Sequence, residues 1–162
     1  MTVRPLRLFT DSNVVIGAMV SRWGLDKAII SLCAARVCKL VLSEPVRDEV
    51  EENLRIHTRG LEQNEAERLI ADYSKVLRLT RPESVPYPDQ SDIIAGRHMI
   101  RHLADVPVLL SAIASKPDWL LAHNTEHFSL DVSQATGLRI GAPKDFFLAL
   151  TRLDSVALTQ SS

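Results

Sequence analysis

Two short apolar runs near the N-terminus, each ending at a polar residue where an amphipathic helix can begin, constrain the fold of this chain most. Leu6–Asp11 (LRLFTD) is typical of a strand, and the SNVVIGAMV that follows predicts a helix capped by Ser12 or Asp11. Cys38–Ser43 predicts a second strand, followed by a helix with Pro45 in its first turn. Repeated strand-to-helix units of this kind indicate an α/β domain in which helices flank a parallel sheet.

The rest of the chain continues this alternation. EQNEAERLIADYSKVL predicts a helix, TRPESVPYPDQSD a surface connection, and IAGRHMIRHL with VPVLLSAIAS a helix or helix pair. DWLLAHN and LRIGAP predict two further strands, and KDFFLALTRL predicts a last helix. We therefore expect a single domain over residues 1–154, with a central parallel sheet of about four to five strands, and a polar C-terminal tail over residues 155–162.

Composition limits the classes of function. A chain of 162 residues that is 46% hydrophobic can bury one substantial core. The 19 Lys and Arg against 20 Asp and Glu give a net charge of −1, so any nucleic acid must be met by a local patch. Cys33 and Cys38 form neither a zinc cluster nor a disulfide scaffold, and no apolar run reaches membrane-spanning length. A cytoplasmic protein without a membrane partner is expected.

Polar residues at the predicted strand ends are the candidates for a site. In open α/β folds, sites form outside the carboxyl ends of the parallel strands. Asp11 ends the first strand, Glu49 follows the second, Asp105 begins a helix and Asn124 ends the WLLAHN strand. Three acids and one amide oxygen are ligands that suit a hard divalent cation.

These residues carry a resemblance to a known family. LFTDSNVVIGA, VLSEPVRDEVEENL and DVPVLLSAIASKPDWLLAHNTEHF resemble, in order, the conserved blocks of PIN-domain ribonucleases, especially the toxins of bacterial toxin–antitoxin pairs. The resemblance extends from about Leu6 to IGAPKDFF and matches Asp11, Glu49, Asp105 and Asn124 to the family's acidic positions.

The resemblance implies a metal-dependent endoribonuclease that hydrolyses single-stranded RNA and leaves a 5′-phosphate. Mg²⁺ or Mn²⁺ would be bound by Asp11, Asp105, Glu49 and, as an auxiliary ligand, Asn124. Ser12 and Asn13 would hold the carboxylates by hydrogen bonds. An antitoxin protein and a homodimer are the partners that such a toxin implies, beside the RNA substrate.

Two positions depart from the family pattern. Ala122 stands where Thr or Ser is common, and Asn124 stands where Asp is frequent, which leaves three carboxylates instead of four. Fewer fixed charges predict weaker metal binding, or one ion instead of two. A catalytically weakened PIN-like domain that binds RNA or a protein without cutting is therefore the alternative.

Simpler interpretations of single residues stay open at this point. Asp11 and Asp105 can each be helix caps, and helical periodicity alone does not separate Glu49 from Glu51. Arg97 and Arg101, four residues apart, would share a helix face and form a small basic patch for RNA phosphates, or simply a solvated face.

Two other features suggest chemistry. HNTEH, residues 123–127, matches the H-x-x-E-H pattern of a zinc peptidase, although WLLA before it favours a strand over the helix that pattern needs. Trp23 can stack on a nucleobase, or it can pack in the core.

Overall fold

A computed structural model describes residues 4–124 and 126–160, with the side chains of residues 153–160 left out of the description. Five parallel strands form one sheet in the order β3-β2-β1-β4-β5. Their bounds are β1 Leu6–Thr10, β2 Cys38–Ser43, β3 Glu83–Val85, β4 Trp119–Leu121 and β5 Ile140–Gly141. The predicted α/β architecture with a sheet of four to five strands is confirmed.

Helices surround the sheet. They are α1 Ser12–Val20, α2 Leu25–Ala34, α3 Glu44–Thr58, α4 Gln63–Thr80, α5 Gln90–Ala95, α6 Val106–Ser115, α7 Leu130–Thr136 and α8 Pro143–Gln160. Short 3-10 turns lie at Gly96–His98 and Leu103–Asp105. No helix in the described ranges has the length and apolar character needed to cross a membrane.

The core lies on both faces of the central strands. Leu8 and Phe9 in β1 point to opposite faces, and both are fully buried, as are Leu120 and Leu121 in β4. Near-continuous apolar runs of this kind are expected when helices cover both faces of a parallel sheet. Since β1 lies between β2 and β4, the carboxyl ends of these three strands meet at one edge.

Local structure differs from the sequence-based expectation in several places. The proline-rich connection contains the edge strand β3, whose three residues are too few to show a periodicity and are held by pairing with β2. Helix α7 was not predicted, and β4 ends at Leu121, three residues before Asn124. Helix α8 continues to Gln160 through most of the expected tail. Residues 1–3 of the predicted domain, and 161 and 162 of the tail, lie outside the described residues.

Candidate functional site at the carboxyl edge of the sheet

Asp11 lies at the centre of the carboxyl edge. It directly follows β1, is 7% exposed, and its backbone N–H donates to the Leu121 carbonyl at 2.9 Å, which ties the ends of β1 and β4 together. Asp11 occupies the residue before α1, but its side chain accepts no capping hydrogen bond there. The structure therefore does not support a cap as the role of this buried carboxylate.

Glu49 approaches the same place from α3. Ser43 caps this helix by accepting from the Val46 N–H, and the buried Val46 and Val50 fix which side of the helix faces the sheet. Glu51 instead receives a hydrogen bond from the Tyr73 hydroxyl at 3.3 Å, toward α4. Electrostatic interaction with Asp11 and Asp105 is found for Glu49, so of the two glutamates Glu49 is the one that lies toward these carboxylates.

Asp105 comes from the start of α6. It precedes the helix without a capping hydrogen bond from its side chain. Its Oδ2 lies 2.7 Å from Nδ1 of His127, the distance of an ion pair. The contact lacks hydrogen-bond geometry, however, so Asp105 Oδ2 is buried with no hydrogen-bond partner among the described residues.

The acidity of these groups reflects burial and mutual repulsion. Burial raises the pKa of the Asp11 carboxyl, and the negative charge of Asp105 raises it further. The Ser12 backbone N–H and the nearby His123 and His127 oppose this rise. Burial likewise raises the pKa of Glu49, and the negative charges of Asp11 and Asp105 raise it further. The three carboxylates are thus close enough to repel one another.

The remaining predicted site residues, Ser12, Asn13 and Asn124, make no hydrogen bond to the three carboxylates through their side chains. Ser12 is buried, and its hydroxyl lowers the pKa of Glu49, although the pair lacks full hydrogen-bond geometry. Asn13 is exposed on α1. The Asn124 carbonyl accepts from the His127 and Phe128 N–H groups in a turn that the buried Phe128 anchors, and no hydrogen bond joins the Asn124 amide side chain to a described residue.

Arg97 and Arg101 do not share a helix face, and the helical basic patch expected from their spacing is wrong. Helix α5 ends at Ala95, and Gly96 packs so closely on α6 that an added Cβ would lie 3.3 Å from Leu110. The chain continues through one 3-10 turn and then an irregular segment in which Ile100 is buried. Both arginines remain exposed.

The H-x-x-E-H stretch does not form the helix that a zinc peptidase needs. Residues 122–124 are irregular and 126–127 form a turn. His123 Nε2 lies 2.6 Å from Asp26 Oδ1, whereas His127 Nδ1 lies 2.7 Å from Asp105 Oδ2. The two histidines therefore contact different carboxylates, which agrees with the preference in the sequence for a strand over the helix of a zinc peptidase.

Two histidines contact each other near Asp105, a contact that was not predicted from the sequence. The His102 and His127 rings stack with centroids 3.5 Å apart and an interplanar angle of 23°. His102 precedes Asp105 by three residues, so its proximity to Asp105 could have been noticed in the sequence. Its stacking on His127 depends on the turn after β4 and has no local sequence signal.

The donor groups suit a hard cation, but the described side chains do not form a complete coordination shell. No group of three or more His, Cys, Asp or Glu within residues 4–124 and 126–152 has the arrangement of a metal site. Two observations nonetheless fit a divalent ion. Asp105 Oδ2 is buried without a hydrogen-bond partner among the described residues, and Asp11, Glu49 and Asp105 repel one another. Carboxylate oxygens are among the ligand types that Mg²⁺ and Mn²⁺ prefer.

Comparison with known proteins shows which solved structures share this fold. No family model and no curated protein matches the sequence. The chain is similar to a structure of VapBC2 from Rickettsia felis, a complex bound to a DNA fragment from its promoter. The TM-score is 0.58 at 14% identity, and the match covers 85% of this chain and 98% of that chain. It is similar to PAE2754 from Pyrobaculum aerophilum with TM-score 0.59, 14% identity, and coverage of 92% and 91%. FitAcB from Neisseria gonorrhoeae gives TM-score 0.55, 15% identity, and coverage of 84% and 97%.

These neighbours are PIN-domain structures from toxin–antitoxin systems. At such low identity the likeness establishes the fold alone. The chain therefore has a PIN-like α/β fold, and the resemblance found in the sequence is confirmed at that level.

Proposed function

We propose that this chain is a metal-dependent endoribonuclease that hydrolyses phosphodiester bonds of single-stranded RNA, and that it acts as the toxin of a type II toxin–antitoxin pair. The observation that carries the proposal is the meeting of Asp11, Glu49 and Asp105 at the carboxyl edge of a PIN-like sheet. These acids come from three separate elements, and burial raises the pKa of Asp11 and Glu49, which disfavours their charged forms. Repelling carboxylates are costly unless a cation is to join them.

Asp11, Glu49 and Asp105 would hold Mg²⁺ or Mn²⁺, with Asn124 as an auxiliary ligand or a group that orients the RNA. A bound divalent ion supplies charge neutralisation at the phosphate and a more acidic water. In the reaction, the oxygen of water bonds to phosphorus, the bond to the 3′ oxygen breaks, and a 5′-phosphate and a 3′-hydroxyl remain.

The protein's own groups keep this arrangement in place. The Asp11 N–H bond to Leu121 fixes the backbone of the central carboxylate at the junction of β1 and β4. Ser12 lies close to Glu49 and favours its charged form. His127 Nδ1 lies 2.7 Å from Asp105 Oδ2, and the His127 ring is in turn stacked on His102. Asn13, exposed on α1, stays a proposed hydrogen-bond donor to these carboxylates.

An antitoxin protein and a second copy of the chain are proposed as partners. Structures of toxin–antitoxin proteins among the fold neighbours support the first of these. An antitoxin that covers the carboxyl edge would exclude RNA from it.

The direct test is cleavage of a fluorescent single-stranded RNA by the purified chain with Mn²⁺ or Mg²⁺. Cleavage should require the metal, stop with a chelator, and be lost in Asp11→Asn and Asp105→Asn. Glu51→Gln should retain it, because Glu51 accepts from the Tyr73 hydroxyl, toward α4 and away from the cluster. Metal-independent cleavage, or equal rates for Asp11→Asn and wild type, would reject the proposal.

A non-cutting PIN-like domain that binds RNA is the second candidate. The observation favouring it is the lack of a hydrogen bond between the Asn124 side chain and the described residues, together with the incomplete metal shell. RNA binding without any metal-dependent cleavage, unchanged in Asp11→Asn, would select this alternative.

A further inference from the structure

A groove next to the carboxylates presents an unpacked tryptophan. Trp23 lies in the loop between α1 and α2 and is 85% exposed, the highest value among the large apolar side chains of the described residues. The next residue, Gly24, has φ +119°, a conformation that L side chains rarely adopt. The loop therefore depends on glycine at this position, and Trp23 is not a core residue.

The groove is formed by two parts of the fold. Its volume is about 320 Å³, and its lining includes Gly17, Ser21, Trp23, Asp26, His123 and Lys144. This volume is at the lower end of the range of about 300–1,000 Å³ for small-ligand sites. We call it the Trp23 groove.

The Trp23 groove is continuous with the carboxyl edge through His123. The ring lies 2.6 Å from Asp26 in the groove lining, and His123 lies two residues after Leu121, whose carbonyl accepts the Asp11 N–H. Asp26 in turn fits against α1 only because residue 17 is glycine, since a Cβ there would lie 2.0 Å from Asp26 Oδ2. The groove thus borders the proposed RNA-cleavage site.

The chemistry of the lining fits a nucleotide. An exposed indole offers a flat surface on which any base can stack. The Asp26–His123 pair offers polar atoms to the edge of a base. Lys144 is exposed at the start of α8, and no hydrogen bond or ion pair joins it to another residue in the described part of the chain, so its charge is available to a phosphate.

We propose that the Trp23 groove is a base-stacking subsite that holds one nucleotide of single-stranded RNA beside the carboxylates. Trp23 stacks on the base, and Lys144 contacts a phosphate. The proposal rests on the proposed ribonuclease function and extends it to the recognition of substrate.

The test uses tryptophan fluorescence and cleavage kinetics on the full chain. The chain has two tryptophans, and Trp119 is 6% exposed beneath Arg139, so emission that is lost in Trp23→Phe belongs to Trp23. A hexamer of adenylates should quench this emission, and a hexamer of uridylates should quench it less because its bases stack more weakly. Asp11→Asn serves as the background, so that the RNA stays intact.

In otherwise wild-type protein, Trp23→Ala should raise KM about 5- to 100-fold with kcat nearly unchanged, because stacking binds substrate and transition state alike. Trp23→Phe should retain most of the affinity, and Lys144→Ala should reduce the salt slope of binding by about one. Leu130→Ala is the matched control, since Leu130 is 72% exposed and does not line the groove.

The outcomes separate this inference from the proposed function. Asp11-dependent cleavage with the same KM for Trp23→Ala and Leu130→Ala would overturn the subsite and leave the nuclease standing. Quenching by RNA without any cleavage would overturn the nuclease and support base stacking. Emission that responds to protein concentration and not to RNA would overturn the subsite and assign Trp23 to a contact between two copies of the chain.

Discussion

The two edges of the sheet treat charge in opposite ways. At the amino edge, Arg7 pairs with Glu83 at 2.5 Å, and Asp118 accepts the Arg7 backbone N–H at 2.7 Å while pairing with Arg4 at 2.9 Å. The hydrogen bond from Arg7 lowers the pKa of Glu83. At the carboxyl edge, burial and neighbouring acids raise the pKa of Asp11 and Glu49.

The difference shows which charges serve the fold. An acid whose pKa is lowered by folding stabilises the native state at neutral pH, and one whose pKa is raised destabilises it. At the amino edge, the acids are therefore neutralised by ion pairs with arginines of the same chain. At the carboxyl edge, Asp11, Glu49 and Asp105 repel one another, and we propose that a divalent cation held by these carboxylates balances their charge.

Asp11→Asn should produce the largest change, and in opposite directions for activity and stability. Metal-dependent RNA cleavage should fall about 100-fold or more, the usual scale for removing a catalytic group. The free energy of unfolding should stay the same or rise, because a buried, repelled carboxylate is removed. Urea unfolding and a cleavage assay on one preparation check both. A destabilised variant would contradict the contrast between the edges.

Glu49→Gln, with Glu51→Gln as its matched control, should separate two neighbours on α3. Cleavage should fall about 10- to 100-fold for Glu49→Gln, because it removes one carboxylate of the cluster. Glu51→Gln should cleave normally, since Glu51 contacts Tyr73 on the far side. Equal losses in both variants would mean that α3 acts only as a general acidic surface.

Asp118→Ala, at the amino edge, should show the opposite of Asp11→Asn: lower stability with unchanged cleavage. It leaves the partly buried Arg7 N–H without its acceptor and removes the partner of Arg4. Unfolding free energy should fall by about 1–3 kcal/mol. The kcat of cleavage should not change, and a loss of kcat in well-folded protein would show that the amino edge participates in function.

The pH dependence of stability should carry opposite signs at the two edges. Asp11 and Glu49 have raised folded pKa values, so their destabilisation is absent below their unfolded pKa and grows as pH rises through the folded pKa. Glu83 has a lowered pKa, so its stabilisation is present above its unfolded pKa and is lost as pH falls through the folded pKa. Unfolding of Asp11→Asn and Glu83→Gln across acidic pH should therefore change the slope in opposite directions.

Arg97→Ala should have the smallest effect. The arginine is exposed and lies on a 3-10 turn, so at most one phosphate contact is at stake. RNA affinity should weaken a few-fold and its salt slope should fall by about one. An unchanged salt slope would remove Arg97 from the RNA-binding surface.

The parts of the fold that could be predicted from sequence are those with a local signal. β1, β2 and the helices after them have clear apolar periodicity and polar ends, so Asp11 could be predicted at a strand end, whereas only the family resemblance separated Glu49 from Glu51. β3 could not be found, because its three residues are held by pairing with β2 and by Arg7, which lies 76 residues away from Glu83. The helix predicted after Gly96 is absent, because close packing of Gly96 on α6 overrides the helical pattern of that segment.

The candidate site divides in the same way. The register of the acids followed from strand ends and from the family resemblance. The contacts of His127 with Asp105 and of His123 with Asp26 depend on an irregular turn and on residues 22 and 97 positions apart, which no spacing rule reveals.

Calorimetric titration of Mn²⁺ tests the central claim most directly, because it asks whether the carboxyl edge lacks a cation. Wild type should bind Mn²⁺, Asp11→Asn should bind it about tenfold or more weakly, and Glu83→Gln should bind it like wild type. Equal binding by wild type and Asp11→Asn, or no binding by wild type, would contradict the account.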